Sequence, residues 1–173
     1  MIKQRVQDAI NGQINAEIYS SYMYYSMAAW FDSISLEGFS HWLRVQALEE
    51  LTHVQKFTRY LTERGGRALM KAVDAPPTDW DSPLACFEEV YTHECNVTEL
   101  INGLMDIALE ERDHASVSFL KWFVDEQIEE ESNTDAVVQK LKLVEGNKGG
   151  LFMLDREMDA RTFVMPPELA GVF

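Results

Sequence analysis

Four glutamates and one histidine interrupt apolar stripes that a helical chain would turn toward its interior. The stripes are runs of residues spaced three or four apart, and the residues that interrupt them are Glu17, Glu50, His53, Glu94 and Glu130. Burying an ionised carboxylate without a partner is very costly, and four buried together also repel one another. No lysine or arginine stands near these glutamates in the stripes. A bound metal cation is therefore the simplest source of compensating positive charge.

The ligand types indicate which metal such a site would prefer. Glu50 and His53 are three residues apart, so on a helix their side chains point the same way and can bind one ion together. Carboxylates with a single imidazole suit iron or manganese and differ from the thiolate-rich sites of structural zinc. Bridging by Glu50 and Glu130 would place two ions close enough to deliver two electrons to dioxygen or peroxide. The alternative is a set of protonated or outward-facing glutamates.

Four long helices are needed to carry these stripes, and the spacing of the apolar residues predicts all of them. The predicted helices cover about Ile2 to Phe31, Leu36 to Arg64, Ser82-Pro83 to beyond Ala108, and His114 to Glu145. A serine in the turn at residues 32–35 is expected to cap the second helix, and Ser82 the third. Gly146 and the Gly149-Gly150 pair are expected to end the fourth, and a short amphipathic helix is expected at about 151–163.

The connection between the second and third helices is unusually long. Residues 65–82 include Pro76, Pro77 and Trp80 and lack a helical pattern. About eighteen extended residues can span a helix of ~42 Å, so this segment can cross to the other end of the bundle. The four glutamates then lie level, ~25 Å from the two hairpin turns. The prediction is an all-α four-helix bundle with a long crossover between its second and third helices, a short fifth C-terminal helix, and a single domain over residues 1–173.

The composition of the 173 residues is that of a globular protein, with 46% hydrophobic and 25% charged residues. A formal net charge of −14 disfavours nucleic acid and anionic membrane surfaces as partners. The first residues lack the apolar core of a signal peptide, and no apolar run approaches the ~18 residues of a membrane span. Cys86 and Cys95 are nine residues apart in one predicted helix, too far for a disulfide, and are expected to be buried thiols. A cytoplasmic protein is therefore predicted.

Four stretches of the sequence carry a resemblance to the non-haem ferritins of prokaryotes. They are QINAEIYS at 13–20, EELTH at 49–53, the His93-Glu94 step and WFVDEQIEEE at 122–131. The resemblance covers essentially the whole chain and implies a ferritin-like four-helix bundle with two irons per subunit. The two iron sites that it implies are Glu17, Glu50 and His53 for the first, and Glu50, Glu94 and Glu130, with Gln127 nearby, for the second.

The resemblance also implies a third iron site toward the surface and an electron donor. The third site matches Glu49, Glu126, Glu129 and Glu130, and Tyr24 falls where the family has a tyrosine that can supply an electron. The residues alone leave two alternatives open. The glutamate run could be a solvated helix face, and Tyr24 could be a core aromatic.

Two departures separate the chain from other members of the wider family. Bacterioferritin-like and rubrerythrin-like proteins carry a second E-x-x-H motif, but the fourth helix here reads Gln127-x-x-Glu130. The second iron therefore lacks a histidine and is expected to be held less tightly. Leu51 occupies the position of the haem-ligating methionine of bacterioferritins, so no haem is expected.

The resemblance implies a ferroxidase that oxidises Fe(II) with dioxygen or hydrogen peroxide and stores Fe(III) as mineral. It implies a homo-oligomer that forms a hollow cage, normally of 24 subunits. Two other functions remain open at this point. One is a cage that stores metal passively, and the other is a smaller di-iron oxidase or peroxidase that acts on a small molecule.

Overall fold

The structure is a computed structural model that describes residues 1–171, the side chain at position 168 excepted. Its helices are α1 (Gln4–Ser33), α2 (Glu37–Glu63), α3 (Pro83–Glu110), α4 (His114–Leu143) and α5 (Lys148–Met158), followed by a 3-10 turn at Pro167–Leu169. The described residues contain no strand, and the all-α prediction is confirmed. The last two positions of the predicted 1–173 domain lie outside the described residues.

The long helices form two antiparallel hairpins, α1 with α2 and α3 with α4. Lys3, just before α1, forms an ion pair with Glu111, just after α3, at 3.3 Å. Further along α1, Tyr24 donates a hydrogen bond to Glu94 in the first half of α3. α1 and α3 therefore run antiparallel, which makes α2 and α3 parallel. A parallel pair needs a connection that runs along the bundle, so the predicted crossover is confirmed.

The crossing segment, residues 64–82, lies along α1. The Asn11 side chain donates to the carbonyl oxygen of Arg67 at 3.1 Å, and the Ser26 hydroxyl donates to that of Pro77 at 2.6 Å. Asn11 and Ser26 are separated by about 22 Å of helix. Hydrogen bonds at both ends of this distance hold the segment against α1 although it has no regular structure of its own.

Two apolar clusters fill the bundle, one on each side of a polar level. The cluster nearer the α1–α2 turn includes Phe31, Phe39 and Phe87, and the cluster at the opposite end includes Phe57 and Phe123. On each long helix, the buried glutamate lies between the part that enters one cluster and the part that enters the other. The apolar packing therefore fixes the depth at which the acidic side chains meet.

The fifth helix begins earlier and ends earlier than the sequence predicts. Gly146, with φ of +73°, follows the end of α4, but the Gly149-Gly150 pair lies inside α5. The Asn147 side chain accepts a hydrogen bond from the Gly150 backbone N–H at 3.0 Å and caps the helix. The predicted end at residue 163 is wrong because regular helix stops at Met158.

The start of α2 depends on α5 rather than on its own turn. No side chain at its N-cap position accepts a hydrogen bond, so the predicted serine cap is wrong. Asp155 of α5 instead accepts a hydrogen bond from the Phe39 backbone N–H at 3.0 Å. A Cβ atom on Gly38 would lie 1.7 Å from the Asp155 carbonyl oxygen. This close approach therefore requires glycine at position 38.

Within residues 1–171, no helix is both long enough and apolar enough to span a membrane.

Gly38→Ala is expected to weaken the docking of α5, because the new methyl group overlaps the Asp155 backbone. Overpacking of this kind costs about 1–3 kcal/mol. Gly103→Ala is a matched control, because no described atom lies within 4 Å of an added Cβ in that part of α3. Alanine at position 103 should raise the free energy of unfolding by about 0.5–1 kcal/mol. Thermal unfolding followed by circular dichroism measures both. A melting temperature for Gly38→Ala at or above that of wild type would contradict the close approach.

Candidate metal centre

α1 and α2 bring three potential metal ligands to one point in the interior. Glu17 lies on α1, and Glu50 and His53 lie one turn apart on α2. His53 Nδ1 is 3.5 Å from Glu17 Oε2 and 3.4 Å from Glu50 Oε2. One ligand atom from each residue lies within 4.8 Å of the others, and all three residues are buried. In the part of the chain that the structure describes, this is the only group of three or more ligand residues so arranged.

The first group leaves a carboxylate oxygen for a cation. Gln13 Nε2 donates to Glu17 Oε1 at 2.8 Å, whereas Glu17 Oε2 accepts no hydrogen bond from the described residues. A buried acceptor without a donor is unfavourable. A cation held by Glu17, Glu50 and His53 would satisfy this oxygen. The two carboxylates and one imidazole suit ferrous or manganous ions.

Gln46 joins the first group to α4. Its Nε2 donates to Glu50 Oε1 at 3.1 Å and to Glu130 Oε2 at 2.9 Å. All three side chains are buried. One amide therefore holds together the two carboxylates that are predicted to bridge a pair of ions.

Glu94 of α3 is held by two side chains from other helices. The Tyr24 hydroxyl donates to Glu94 Oε1, and Gln127 Nε2 lies 3.3 Å from Glu94 Oε2. Glu94 and Glu130 are both buried, but they lie outside the close group of ligand atoms on α1 and α2. The second iron site therefore stays a prediction.

A glutamine precedes three of the buried glutamates by about one helical turn: Gln13 before Glu17, Gln46 before Glu50, and Gln127 before Glu130. Residues at this spacing share a helix face. Gln13 and Gln46 donate to the glutamate of their own helix, and Gln127 donates to Glu94 across the bundle. Their repeated spacing is the sequence signal that identifies Gln13 and Gln46 as part of the centre.

Burial among acidic neighbours changes the protonation of the centre. Burial, with a contribution from Glu130, raises the pKa of Glu94 to about 8. Burial also raises the pKa of Glu50 well above its usual value, against the opposing effect of His53. For His53, burial lowers the pKa, but the nearby carboxylates of Glu17 and Glu50 outweigh it, and the pKa is well above its usual value. The metal-free centre therefore carries protons that a cation would displace.

The predicted third site stays a prediction as well. Glu49 and Glu126 are half-buried and Glu129 is exposed, and Glu49 interacts electrostatically with both Glu130 and Glu126. Burial raises the pKa of Glu49 to about 7, against the opposing effect of Arg161. Among the described residues, no close group of ligand atoms includes Glu49, Glu126 or Glu129.

A surface cavity of about 250 Å³ lies between α3 and α4 and reaches Gln127. Thr98 and Glu131 also line it, and the Thr98 hydroxyl donates to Glu131 Oε1 at 2.5 Å. Gln127 contacts Glu94 in turn. The cavity therefore reaches from the surface, past an acidic side chain, as far as the Gln127 amide that contacts Glu94.

His93 supports the centre without joining its ligands. Its Nε2 is 2.8 Å from Ser20 Oγ, and its ring packs edge-on against Tyr24 with ring centres 5.8 Å apart. Burial lowers the pKa of His93 to about 4, so the ring is neutral at pH 7. It positions the Tyr24 ring and adds no charge. The apolar stripe of α3 does not indicate this role, because His93 lies beside the stripe.

Comparison with known protein sequences identifies ferritins as relatives of this chain. A family profile described as ferritin-like domain matches residues 7–144. A bacterial non-heme ferritin of Bacteroides fragilis is 40% identical over 161 residues, which is 93% of this chain and 100% of the relative. A bacterial non-heme ferritin of Staphylococcus aureus is 37% identical over 163 residues, which is 94% of this chain and 98% of the relative.

Comparison with solved structures gives the same fold. A closed form of the Archaeoglobus fulgidus ferritin, engineered by site-directed mutagenesis, superimposes with a TM-score of 0.94 and 50% identity, covering 95% of this chain and 100% of the other. The open pore ferritin from the same archaeon superimposes with a TM-score of 0.92 and 51% identity, covering 94% and 100%. The predicted bundle with its short C-terminal helix is confirmed.

Binding of a divalent cation at the centre is expected to release protons at pH 7. Glu94 has a pKa of about 8, so its carboxyl group is mostly protonated at pH 7 and must lose the proton to become an anionic ligand. The release should decrease as the pH rises above 8, where the carboxylate is already ionised. Anaerobic calorimetric titration of the iron-free protein with ferrous iron, in buffers of different ionisation enthalpy, counts the protons. Equal heats in all buffers at pH 7 would show that the carboxyl groups are already ionised.

Proposed function

This chain belongs to the ferritin family of iron-storage proteins, and we propose that it is a ferroxidase subunit of a ferritin cage. It oxidises Fe(II) at the buried centre and stores Fe(III) as mineral inside the assembled particle. The observation that carries the proposal is the close buried group of Glu17, Glu50 and His53. Iron is the substrate of this centre and passes through it.

Two neighbouring ion positions would allow a two-electron oxidation. The first is formed by Glu17, Glu50 and His53, and the second by Glu50, Glu94 and Glu130. The hydrogen bonds from Gln46 to both Glu50 and Glu130 support this pairing. Two ferrous ions each give one electron, and two electrons with two protons reduce dioxygen to hydrogen peroxide. With hydrogen peroxide as the oxidant, the same electrons and protons give two molecules of water.

The two positions would differ in their affinity for ferrous iron. The first has an imidazole ligand, and the second has carboxylates with the amide of Gln127 beside them. Neutral amide oxygens bind ferrous iron more weakly than imidazole does. An ion in the second position would leave more readily, which suits a centre that passes iron on to storage.

Tyr24 is placed to give an electron together with a proton. Its hydroxyl is buried and donates to Glu94. Burial and the charge of Glu94 raise the pKa of Tyr24 well above its usual value, so the phenol is neutral at pH 7. Loss of an electron from a neutral phenol makes it strongly acidic, and Glu94, ionised once a cation is bound, would be in position to accept the proton.

Glu49, Glu126 and Glu129 would form, with Glu130, the third position of the pathway. Glu130 is buried and contacts Gln46, whereas Glu129 is exposed. This gradient of burial supports a route along which ferric iron leaves the centre toward the surface of the bundle.

Assembly into a homo-oligomer, of 24 subunits as the resemblance implies, would supply the storage space. Tyr22 and Tyr25 on α1 are 51% and 43% exposed. Exposed aromatic side chains close together on one helix mark an interaction surface, and a second copy of the chain is the partner that a cage requires.

A complete interior ligand set favours oxidation over passive storage. A subunit that only builds the wall of a cage has no need of buried carboxylates. Burying each carboxylate as an anion, without a metal ion beside it, costs on the order of several kcal/mol. Retaining four of them at one level is therefore consistent with a centre that binds and oxidises iron.

Glu50→Gln is expected to abolish rapid oxidation of Fe(II), because a neutral amide cannot serve as the shared anionic ligand. A fall of about 100-fold or more is expected, since even outer-shell changes at metal sites cost about 10–100-fold. Glu63→Gln is the matched control, because Glu63 lies at the exposed end of the same helix and pairs with Arg59. Stopped-flow absorbance, on mixing iron-free protein with ferrous iron and air, measures the rate.

Both variants should elute from a sizing column as the wild-type particle. This particle is expected at about 480 kDa, which is 24 times the 19.9 kDa chain. A wild-type oxidation rate in Glu50→Gln would place the ferroxidase reaction elsewhere. A monomeric or dimeric wild-type protein would instead favour an oxidase that acts on a small molecule.

A further inference from the structure

The segment after α5 places a positive charge on one of the proposed third-site carboxylates. Arg161 Nη2 forms an ion pair with Glu49 Oε2, and the two side chains are only 18% and 26% exposed. A pair so far removed from water is screened less by salt than a surface pair. The described part of the chain has no buried lysine or arginine. Arg161 is thus a half-buried cation at the edge of a centre whose buried ligand residues are four glutamates and one histidine.

Arg161 is held by its backbone and by its guanidinium, which contacts both Glu49 and Trp42. His41 Nε2 is 2.8 Å from the Arg161 carbonyl oxygen, and the guanidinium carbon lies 4.0 Å from the centre of the Trp42 ring. The second terminal nitrogen, Nη1, is buried and has no hydrogen-bond partner within residues 1–171. A second acceptor would satisfy this buried donor, and the His41 contact would keep the backbone in place while the guanidinium turned toward it.

A cavity beside Arg161 can receive the released side chain. The cavity has a volume of about 340 Å³ and lies between α2, α4 and the end of α5. Its walls include Trp42, Asn133 and Glu157 as well as Arg161. The carboxylate of Glu157, which also binds Lys140 at 2.6 Å, and the amide oxygen of Asn133 are possible acceptors for the guanidinium. Rotation of the Arg161 side chain therefore exchanges one carboxylate partner for another.

We propose that Arg161 competes with a divalent cation for Glu49 and thereby sets the affinity of the third iron position. This inference rests on the proposed function, in which Glu49 binds iron that leaves the centre. A guanidinium and a ferrous ion cannot both occupy Glu49 Oε2. Without metal, Arg161 neutralises Glu49. When a cation arrives, Arg161 turns into the cavity, and when the cation leaves, Arg161 returns.

The competition makes the third position weaker than the two interior positions. An ion in the interior displaces only protons, because no lysine or arginine is buried there among the described residues. An ion at Glu49 must also displace a fixed positive charge. Glu126 and Glu130 act electrostatically on Glu49, and this added negative charge favours a divalent ion over a single guanidinium charge. The third position therefore fills last and empties first, as transfer to storage requires.

Anaerobic calorimetric titration of the assembled, iron-free protein with ferrous iron tests the competition. In Arg161→Gln, the third binding event should tighten on the order of 10-fold, while the first two stay within about twofold of wild type. Arg161→Lys is the matched control, because it keeps the charge and loses only the planar group over Trp42, so its third affinity should change less than that of Arg161→Gln. Glu49→Gln should lose the third event and keep the first two.

Sizing chromatography and thermal unfolding verify that each variant is assembled. Arg161→Met, an uncharged side chain that can pack on the Trp42 ring, replaces Arg161→Gln if the latter does not assemble.

The outcomes separate this inference from the function on which it rests. A third event that appears only in Arg161→Gln would support the competition as strongly as a tightened one. An unchanged or weakened third event would overturn it, and so would equal tightening in Arg161→Gln and Arg161→Lys, which would assign the effect to looser packing. A third event that persists in Glu49→Gln would also overturn it. If the wild-type protein showed no first and second binding events, the proposed function itself would be overturned.

Discussion

Four carboxylates at one level of an apolar bundle are the constraint on which this structure depends. Each costs about several kcal/mol to bury as an anion, and the described interior has no lysine or arginine to offset them. The metal-free chain compensates in part by raising the pKa of Glu50 and Glu94 and by amide hydrogen bonds from Gln13, Gln46 and Gln127. In the proposed function a cation completes the compensation, so that the cost of burial becomes affinity for iron.

Packing in the rest of the bundle fixes the positions of the four buried carboxylates. Apolar clusters above and below it fix the depth of each long helix, and the crossover along α1 makes α2 and α3 parallel. Tyr24 of α1 and Gln127 of α4 then hold Glu94, and His93 of α3 packs against Tyr24. The small fifth helix contributes at a distance, because Asp155 caps α2 and the residues after it bring Arg161 to Glu49. The same C-terminal segment thereby stabilises the helix that carries Glu50 and contacts Glu49 on that helix.

The sequence predicts what repeats along a helix and misses what depends on contacts between distant segments. The stripes place Glu17, Glu50 and His53 together because the period of a helix and the lengths of the hairpins determine depth. The start of α5 was misjudged because asparagine capping overcomes a glycine pair in the first turn. The Asp155 cap and the Arg161–Glu49 pair join residues more than a hundred positions apart, and neither has a local pattern.

Anomalous X-ray diffraction at the iron absorption edge tests the central claim most directly. Crystals would be soaked in ferrous iron without oxygen, so that bound ions remain in place. The account predicts two anomalous peaks inside each subunit, a stronger one between Glu17, Glu50 and His53 and a weaker one between Glu50, Glu94 and Glu130. Iron found only at exposed carboxylates, with no peak inside the bundle, would contradict it.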